Sequence, residues 1–390
     1  MSMGTVRDKT AIVGIGATEF SQNCGRSELR MALEAILDAV EDAGLKVEDI
    51  DGMINYTLDS ADQIEIVRSL GIPNLSYFSK VPYGGGASCG TIAHAVAAVE
   101  SGMANYVVCV RSIRDASGPV TYGDFEPTRV AGDTYMGMYH PYGLLTPVAW
   151  VAMFAQRYKH EYGIKDGDLG WISLVNRENA NRNPKAIFHN RTLSMEEYLN
   201  SPINVEPLRR HDCCLSTDGA VAIIVTSAER AKDLKQRPAY ISGVIQGMST
   251  NGEVMTSYAR EDITVLHETE AYGKKLFEMA DMTPKDIDVA QFYDAFSPLV
   301  PMQLEALGFV GKGEGVPYCE GGTRIRLGGE LPINTSGGLM SEGYLHGMNL
   351  ITEGVRQIRG TSTSQVKDAE ISLVTGGLGV PSSGLILKRR

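Results

Sequence analysis

The chain has 390 residues, 43% hydrophobic and 21% charged, which is ordinary for a globular protein with a large core. A formal net charge of −11 and the lack of any basic stripe argue against nucleic-acid binding. No apolar run reaches the ~18 residues of a membrane helix, and the opening MSMGTVRDKT has no apolar signal segment.

The elements read in chain order as alternating strands and helices. Thr10–Gly16 is a buried-strand pattern, followed by an amphipathic helix near Ser27–Ala43 and a second strand at Gly52–Tyr56. The turn Gly84-Gly85-Gly86-Ala87-Ser88-Cys89-Gly90 opens an alanine-rich helix running to Ser101. Asn105–Val110 and Asp218–Thr226 are further buried strands. The order then repeats: strand Ala239–Ile245, helix Ile263–Met282, strand Asp288–Tyr293. A second small-residue turn, Ser336-Gly337-Gly338, opens a helix to about Ile358, and Glu370–Thr375 and Gly384–Leu387 complete the strands. Strands buried on both faces between helices predict α/β layers. Two similar halves, 1–230 and 231–390, predict a pseudo-twofold, five-layer αβαβα arrangement with the two glycine-turn helices meeting at the centre.

A long excursion at about 112–211 breaks the pattern. It carries Tyr122, Tyr135, Tyr139, Tyr142, Met136, Met138 and His140, then helices at Pro147–Glu161 and Leu169–Asn183. Such an insertion is either a lid or binding loop, or an oligomer contact. Gly14-Ile15-Gly16 lacks the third glycine of a dinucleotide fingerprint, so nucleotide binding is rejected. The six cysteines form no C-x-x-C pair and no zinc spacing, which predicts reduced thiols in a cytoplasmic protein and no metal site.

Five segments carry a resemblance. GGGASCGTIAHAVAAVESG from Gly84 is similar to the C-x-x-G-x-x-A turn of thiolases, and HDCCLSTDGAVAIIVTS from His211 to their D-C-x-x-x-x-D-G-A-A-A strand. QFYDAFSP from Gln291 resembles N-E-A-F or H-D-C-F. NTSGGLMSEGYLHG from Asn334 and SLVTGGLGV from Ser372 resemble the G-H-P and C-x-G-G-G-x-G motifs. The chain therefore resembles the thiolase superfamily over nearly its whole length. Within it, the look is that of sterol-carrier-protein-x-type thiolases and the related steroid side-chain-cleaving thiolase-like aldolases.

The departures fall on the chemistry. Aligned on Gly90, the position of the nucleophilic cysteine holds Ala87, while Cys89 lies two residues along. Tyr344 stands for the histidine of G-H-P and Tyr293 for the first residue of N-E-A-F. The second cysteine falls near Leu373–Thr375, where there is none. Claisen chemistry needs a thiolate to hold the acyl group and a second base, so a covalent acyl-enzyme is not expected. A phenol, with a pKa of about 10, is a competent acid and, ionised, a strong base.

That suits retro-aldol cleavage of a β-hydroxyacyl-CoA, with Tyr293 as base and Tyr344 as donor. Alternatively, the tyrosines only fill space left by lost catalytic groups. His346 could tune a tyrosine or bind substrate, or be an ordinary packed histidine. Asp294 is expected to brace the helix near Phe296–Pro298 rather than do chemistry. Backbone N–H groups at Ala87, Gly376, Gly377 and Gly379 could face an oxyanion, or the glycines could make only a tight turn. The competing readings are an acyl-CoA acyltransferase using Cys89 and a non-catalytic acyl-CoA or lipid carrier. The resemblance implies a CoA thioester of a steroid side chain as substrate, with no cofactor, and a ring ketone and acetyl- or propionyl-CoA as products. It also implies a homodimer and a separate OB-fold/zinc-ribbon partner associated with a MaoC-like enoyl-CoA hydratase.

Overall fold

The computed structural model describes residues 6–118, 136–379 and 382–390, so Tyr122 and Tyr135 lie outside the described residues. Eleven strands are present among them: β1 (Thr10–Ala17), β2 (Gly52–Tyr56), β3 (Tyr77–Val81), β4 (Tyr106–Arg114), β5 (Ile203–Val205), β6 (Leu208–Arg209), β7 (Asp218–Ser227), β8 (Ala239–Gly247), β9 (Val289–Gln291), β10 (Ile371–Gly376) and β11 (Ser382–Lys388). β5 and β6 form a separate small hairpin. The other nine are hydrogen-bonded in the order β3-β2-β4-β7-β1-β8-β11-β10-β9.

The duplication is visible in the pairing. In the first half β1 pairs antiparallel with β7, β7 antiparallel with β4, and β4 parallel with β2. In the second half β8 pairs antiparallel with β11, β11 antiparallel with β10, and β10 parallel with β9. The halves are joined edge to edge by a short antiparallel contact, Ala11↔Tyr240 and Ile12↔Ala239. The layers thus contain one continuous ladder rather than two separate sheets.

Helix α1 (Glu28–Ala43) starts at Ser27, whose side chain accepts from Arg30 N–H, and ends at left-handed Gly44. α2 (Gln63–Leu70) precedes edge strand β3, and α3 (Ser88–Glu100) follows the first glycine turn. α4 (Pro147–Tyr162) and α5 (Gly170–Arg182) lie in the excursion. α6 (His267–Ala280), α7 (Leu299–Ala306), a single turn α8 (Gly338–Ser341) and α9 (Met348–Arg359) belong to the second half. α1 packs on β1 and β7, and α6 on β8 and β11, which makes the two outer layers. α3 and α9 lie between the strands of the two halves and share one apolar cluster, while separate clusters sit beneath α1 and α6. Five αβαβα layers result.

One expectation needs correction. The helix expected from Ser336 to Ile358 is broken into α8 and α9, because His346 and Gly347 take positive φ of 51° and 87°. Gly14-Ile15-Gly16 serves packing: a Cβ on Gly16 would lie 2.2 Å from the Ala35 carbonyl oxygen of α1. The helix expected near Phe296–Pro298 is α7. β3, α2 and the β5–β6 hairpin were not anticipated, since short segments carry little periodicity.

Candidate active site

Tyr293 leaves the end of β9, where its N–H donates to Thr375 Oγ1 at 2.8 Å and its carbonyl accepts from Gln303 Nε2 at 2.9 Å. The preceding residue is clamped by Asn334, which accepts from Phe292 N–H at 2.8 Å and donates to its carbonyl at 2.9 Å. Tyr344 lies in the irregular link between α8 and α9, its N–H donating to Thr217 Oγ1 at 2.9 Å. Strands β9 and β10, helix α7 and the end of β7 thus all converge on two main-chain positions.

The two phenols meet. Tyr293 Oη and Tyr344 Oη are 2.9 Å apart across 51 residues of sequence, and the rings stand at 65°. Tyr293 is buried and Tyr344 half-buried. The first glycine turn closes over them: a Cβ on Gly85 would lie 2.2 Å from Tyr293 Oη and Cζ, and one on Gly84 2.8 Å from His346 Nε2. Only glycine lets the backbone come this close. Gly376 and Gly377 pack on the same turn, since a Cβ on Gly377 would lie 2.4 Å from Gly86 N.

The remaining sequence-predicted positions take different places. Ala87 is buried, and its N–H donates to the Gly84 carbonyl at 2.9 Å, so it is not the backbone donor expected there. Cys89 faces inward, its Sγ 3.7 Å from the Val374 carbonyl, and burial pushes its thiol up to about 12. The structure does not bring it to the phenols as a thiolate. Asp294 does not brace the segment that follows it. Its carboxylate reaches α8 instead, accepting from Leu339 N–H at 2.8 Å and Asn176 Nδ2 at 2.7 Å, and Gly338 carries no Cβ to block it. Burial pushes Asp294 up to about 7 against these hydrogen bonds. His140 opens a short turn in the excursion.

His346 is buried beside the pair, its ring 4.9 Å from that of Tyr344. Arg111 of β4 donates from Nε to His346 Nδ1 at 3.1 Å and pairs with Asp59. Burial, then the adjacent Arg111 charge, hold the imidazole well below its ordinary value. Arg111 and Asp59 were missed by sequence reasoning. The signal was an arginine inside the apolar run VVCVRSI, where a cation is buried only with a partner. Among the described residues no group of three or more His, Cys, Asp or Glu is placed to hold a metal, and no helix is long and apolar enough to cross a membrane.

Layers of this kind, with two glycine turns meeting at the centre, alanine where a condensing enzyme has its nucleophilic sulfur, and phenols at the G-H-P histidine and the first N-E-A-F position, define a thiolase-fold protein without thiolase nucleophiles. Residues 249–389 match the family described as Thiolase C-terminal domain-like. The chain is 48% identical to the 17-hydroxy-3-oxo-4-pregnene-20-carboxyl-CoA lyase of Mycobacterium tuberculosis, over 97% of this chain and 99% of that one. It is 47% identical to the steroid side-chain-cleaving aldolase of Thermomonospora curvata, over 99% of each chain. A solved Ltp2-ChsH2(DUF35) aldolase superposes with a TM-score of 0.94 at 46% identity, covering 99% of both chains. The chain belongs to the family of thiolase-like, steroid side-chain-cleaving aldolases.

Proposed function

We propose that this protein is a carbon–carbon lyase that cleaves a β-hydroxyacyl-CoA by a retro-aldol reaction, and that its substrate is the CoA thioester of a hydroxylated steroid side chain. The observation that carries the reading is the 2.9 Å contact between Tyr293 Oη and Tyr344 Oη, in a frame whose nucleophile position holds Ala87. Tyr293, as phenolate stabilised by the hydrogen bond from Tyr344, takes the β-hydroxyl proton. The C–O bond becomes a carbonyl, the Cα–Cβ pair moves onto the thioester as an enolate, and the enolate is protonated at Cα by Tyr344. Tyr293 then returns its proton to Tyr344 across their 2.9 Å contact, so the net change is one proton moved from oxygen to carbon and one carbon–carbon bond broken, giving a ring ketone and acetyl- or propionyl-CoA. No metal or cofactor enters these steps.

The names of the relatives support the steroid assignment, and the DUF35 component of the solved neighbour supports a protein partner. We assign that partner as an OB-fold/zinc-ribbon protein associated with a MaoC-like hydratase, which would supply the tertiary hydroxyl, and the aldolase itself as a cytoplasmic homodimer. The test is incubation of the protein, with and without the partner, with a 17-hydroxy steroid side-chain CoA thioester. Release of ring ketone and short acyl-CoA in equal amounts is expected. Tight binding with unchanged substrate in both arms would make the protein a carrier.

A further inference from the structure

Behind Tyr344 lies a buried charged chain that the cleavage scheme does not use. Arg111 leaves β4 into the interior and is 2% exposed. Its guanidinium pairs with Asp59, from the turn after β2, and Asp59 is itself fixed by Tyr56 N–H at 2.8 Å. The Arg111 Nε donates to His346 Nδ1 at 3.1 Å. A guanidinium has donors and no acceptor, so Nδ1 must accept, and the imidazole proton resides on Nε2. The opposite side of the ring lies against Gly84 and the Tyr344 ring. His346 is also held in the left-handed region at φ 51°, a conformation that a non-glycine residue keeps only when its surroundings impose it.

We propose that Asp59, Arg111 and His346 are positioning residues for the cleavage: Asp59 orients Arg111, and Arg111 fixes His346 as the neutral Nε2–H tautomer that seats the Tyr344 ring and the Gly84 turn. This rests on the tyrosine reading above. The groups facing His346 include Tyr56 from β2, Arg111 from β4, which carries Asp59 on its far side, and Tyr344 from its own segment. Arg111 is the cation among them, and it disfavours a second positive charge on the ring.

The decisive measurement is ¹⁵N NMR of histidine-labelled full-length protein, with the His346 signal assigned by its loss in His346→Gln. The expected result is a neutral ring protonated at Nε2 from about pH 5.5 to about 8.5, across the ordinary imidazole pKa of about 6.5. Arg111→Met removes the cation and the Nε donor that fixes His346 Nδ1, while the ring stays buried. Burial, the larger cause, keeps the ring neutral, but its proton is no longer confined to Nε2, so an Nδ1–H population appears in the spectrum and kcat drops on the order of 100-fold with KM changed less than about threefold. Asp59→Asn keeps the cation but loosens it, and is expected to shift the tautomer and kcat in the same direction by less.

A wild-type His346 that is protonated at Nδ1, or that titrates near about 6.5, overturns the proposal without any variant having to fold. A slow Arg111→Met enzyme whose His346 keeps its proton wholly on Nε2 overturns it too, reducing Arg111 to a packing role. Full turnover by both Tyr→Phe enzymes would instead defeat the tyrosine reading while leaving the spectroscopic result standing.

Discussion

Tyr293 Oη lies 2.9 Å from Tyr344 Oη, although the two residues belong to different structural segments and 51 positions separate them. Each main chain is pinned by a buried threonine, Thr375 for the first and Thr217 for the second. The contact is therefore fixed by three strands and helix α7 and not by a flexible pair of side chains.

If the phenols act together, Tyr293→Phe and Tyr344→Phe should each lower kcat by about 10²–10⁴-fold, the usual worth of a general acid or base. KM should shift far less, because the aromatic rings remain. The double variant should be little worse than the poorer single one, since either change disables the same unit. Steady-state kinetics on the ketone product measures all three. Multiplicative losses would show that the hydroxyls act independently.

Gly85→Ala tests the roof of the site. Its Cβ would lie 2.2 Å from Tyr293 Oη, so either the phenol or the turn must move. Overpacking of this kind costs about 1–3 kcal/mol, and the displaced phenol should cost more in kcat than in thermal midpoint. Gly247→Ala is the matched control, as a Cβ there meets nothing within 4 Å.

Cys89→Ala addresses the acyltransferase reading. The Cys89 thiol is buried against the Val374 carbonyl and pushed up to about 12, so at neutral pH no thiolate is present to attack a thioester. The variant should retain kcat within about threefold and lose on the order of 1 kcal/mol of stability through the small void left behind. Intact mass after exposure to acyl-CoA should show no adduct on the native protein. A stable acyl adduct at Cys89 would restore the acyltransferase.

Much of this was legible in the sequence, for identifiable reasons. Long apolar strands such as TAIVGIGA and DGAVAIIVTS cannot be read as anything but buried, and the glycine turns announced close backbone approach. The tyrosine positions followed from motif spacing. What sequence could not show was direction. Asp294 follows Tyr293, yet its carboxylate points away from its own segment to cap α8, a contact made 45 residues down the chain. Arg111 was placed beyond the end of its strand, and its partner Asp59 is a non-local neighbour that no periodicity reveals. The break at His346 was hidden because a positive φ at a non-glycine residue leaves no compositional mark.

The buried carboxyls of Asp294 and Glu342 give a pH dependence with a definite sign. Burial pushes each up to about 7, against ordinary values of 3.8 and 4.5. The folded state therefore binds these protons more tightly than the unfolded state. Their stabilisation is complete below about pH 4 and is lost as pH rises through about 7, so they should lower the thermal midpoint between about pH 5 and about 8. Asp294→Asn should remove its share of that slope. The new amide can keep the bond from Leu339 N–H, and Asn176 can reverse its own amide, whose Oδ1 has no hydrogen-bond partner among the described residues. Asp294→Leu, by contrast, strands the Leu339 N–H and the Asn176 amide in the interior and should destabilise at every pH, by about 1–3 kcal/mol for each group left unpaired. Melting curves across the pH range separate the cases. An Asp294→Asn protein with an undiminished slope would mean that the hydrogen bonds to α8 outweigh burial and keep this carboxyl ionised.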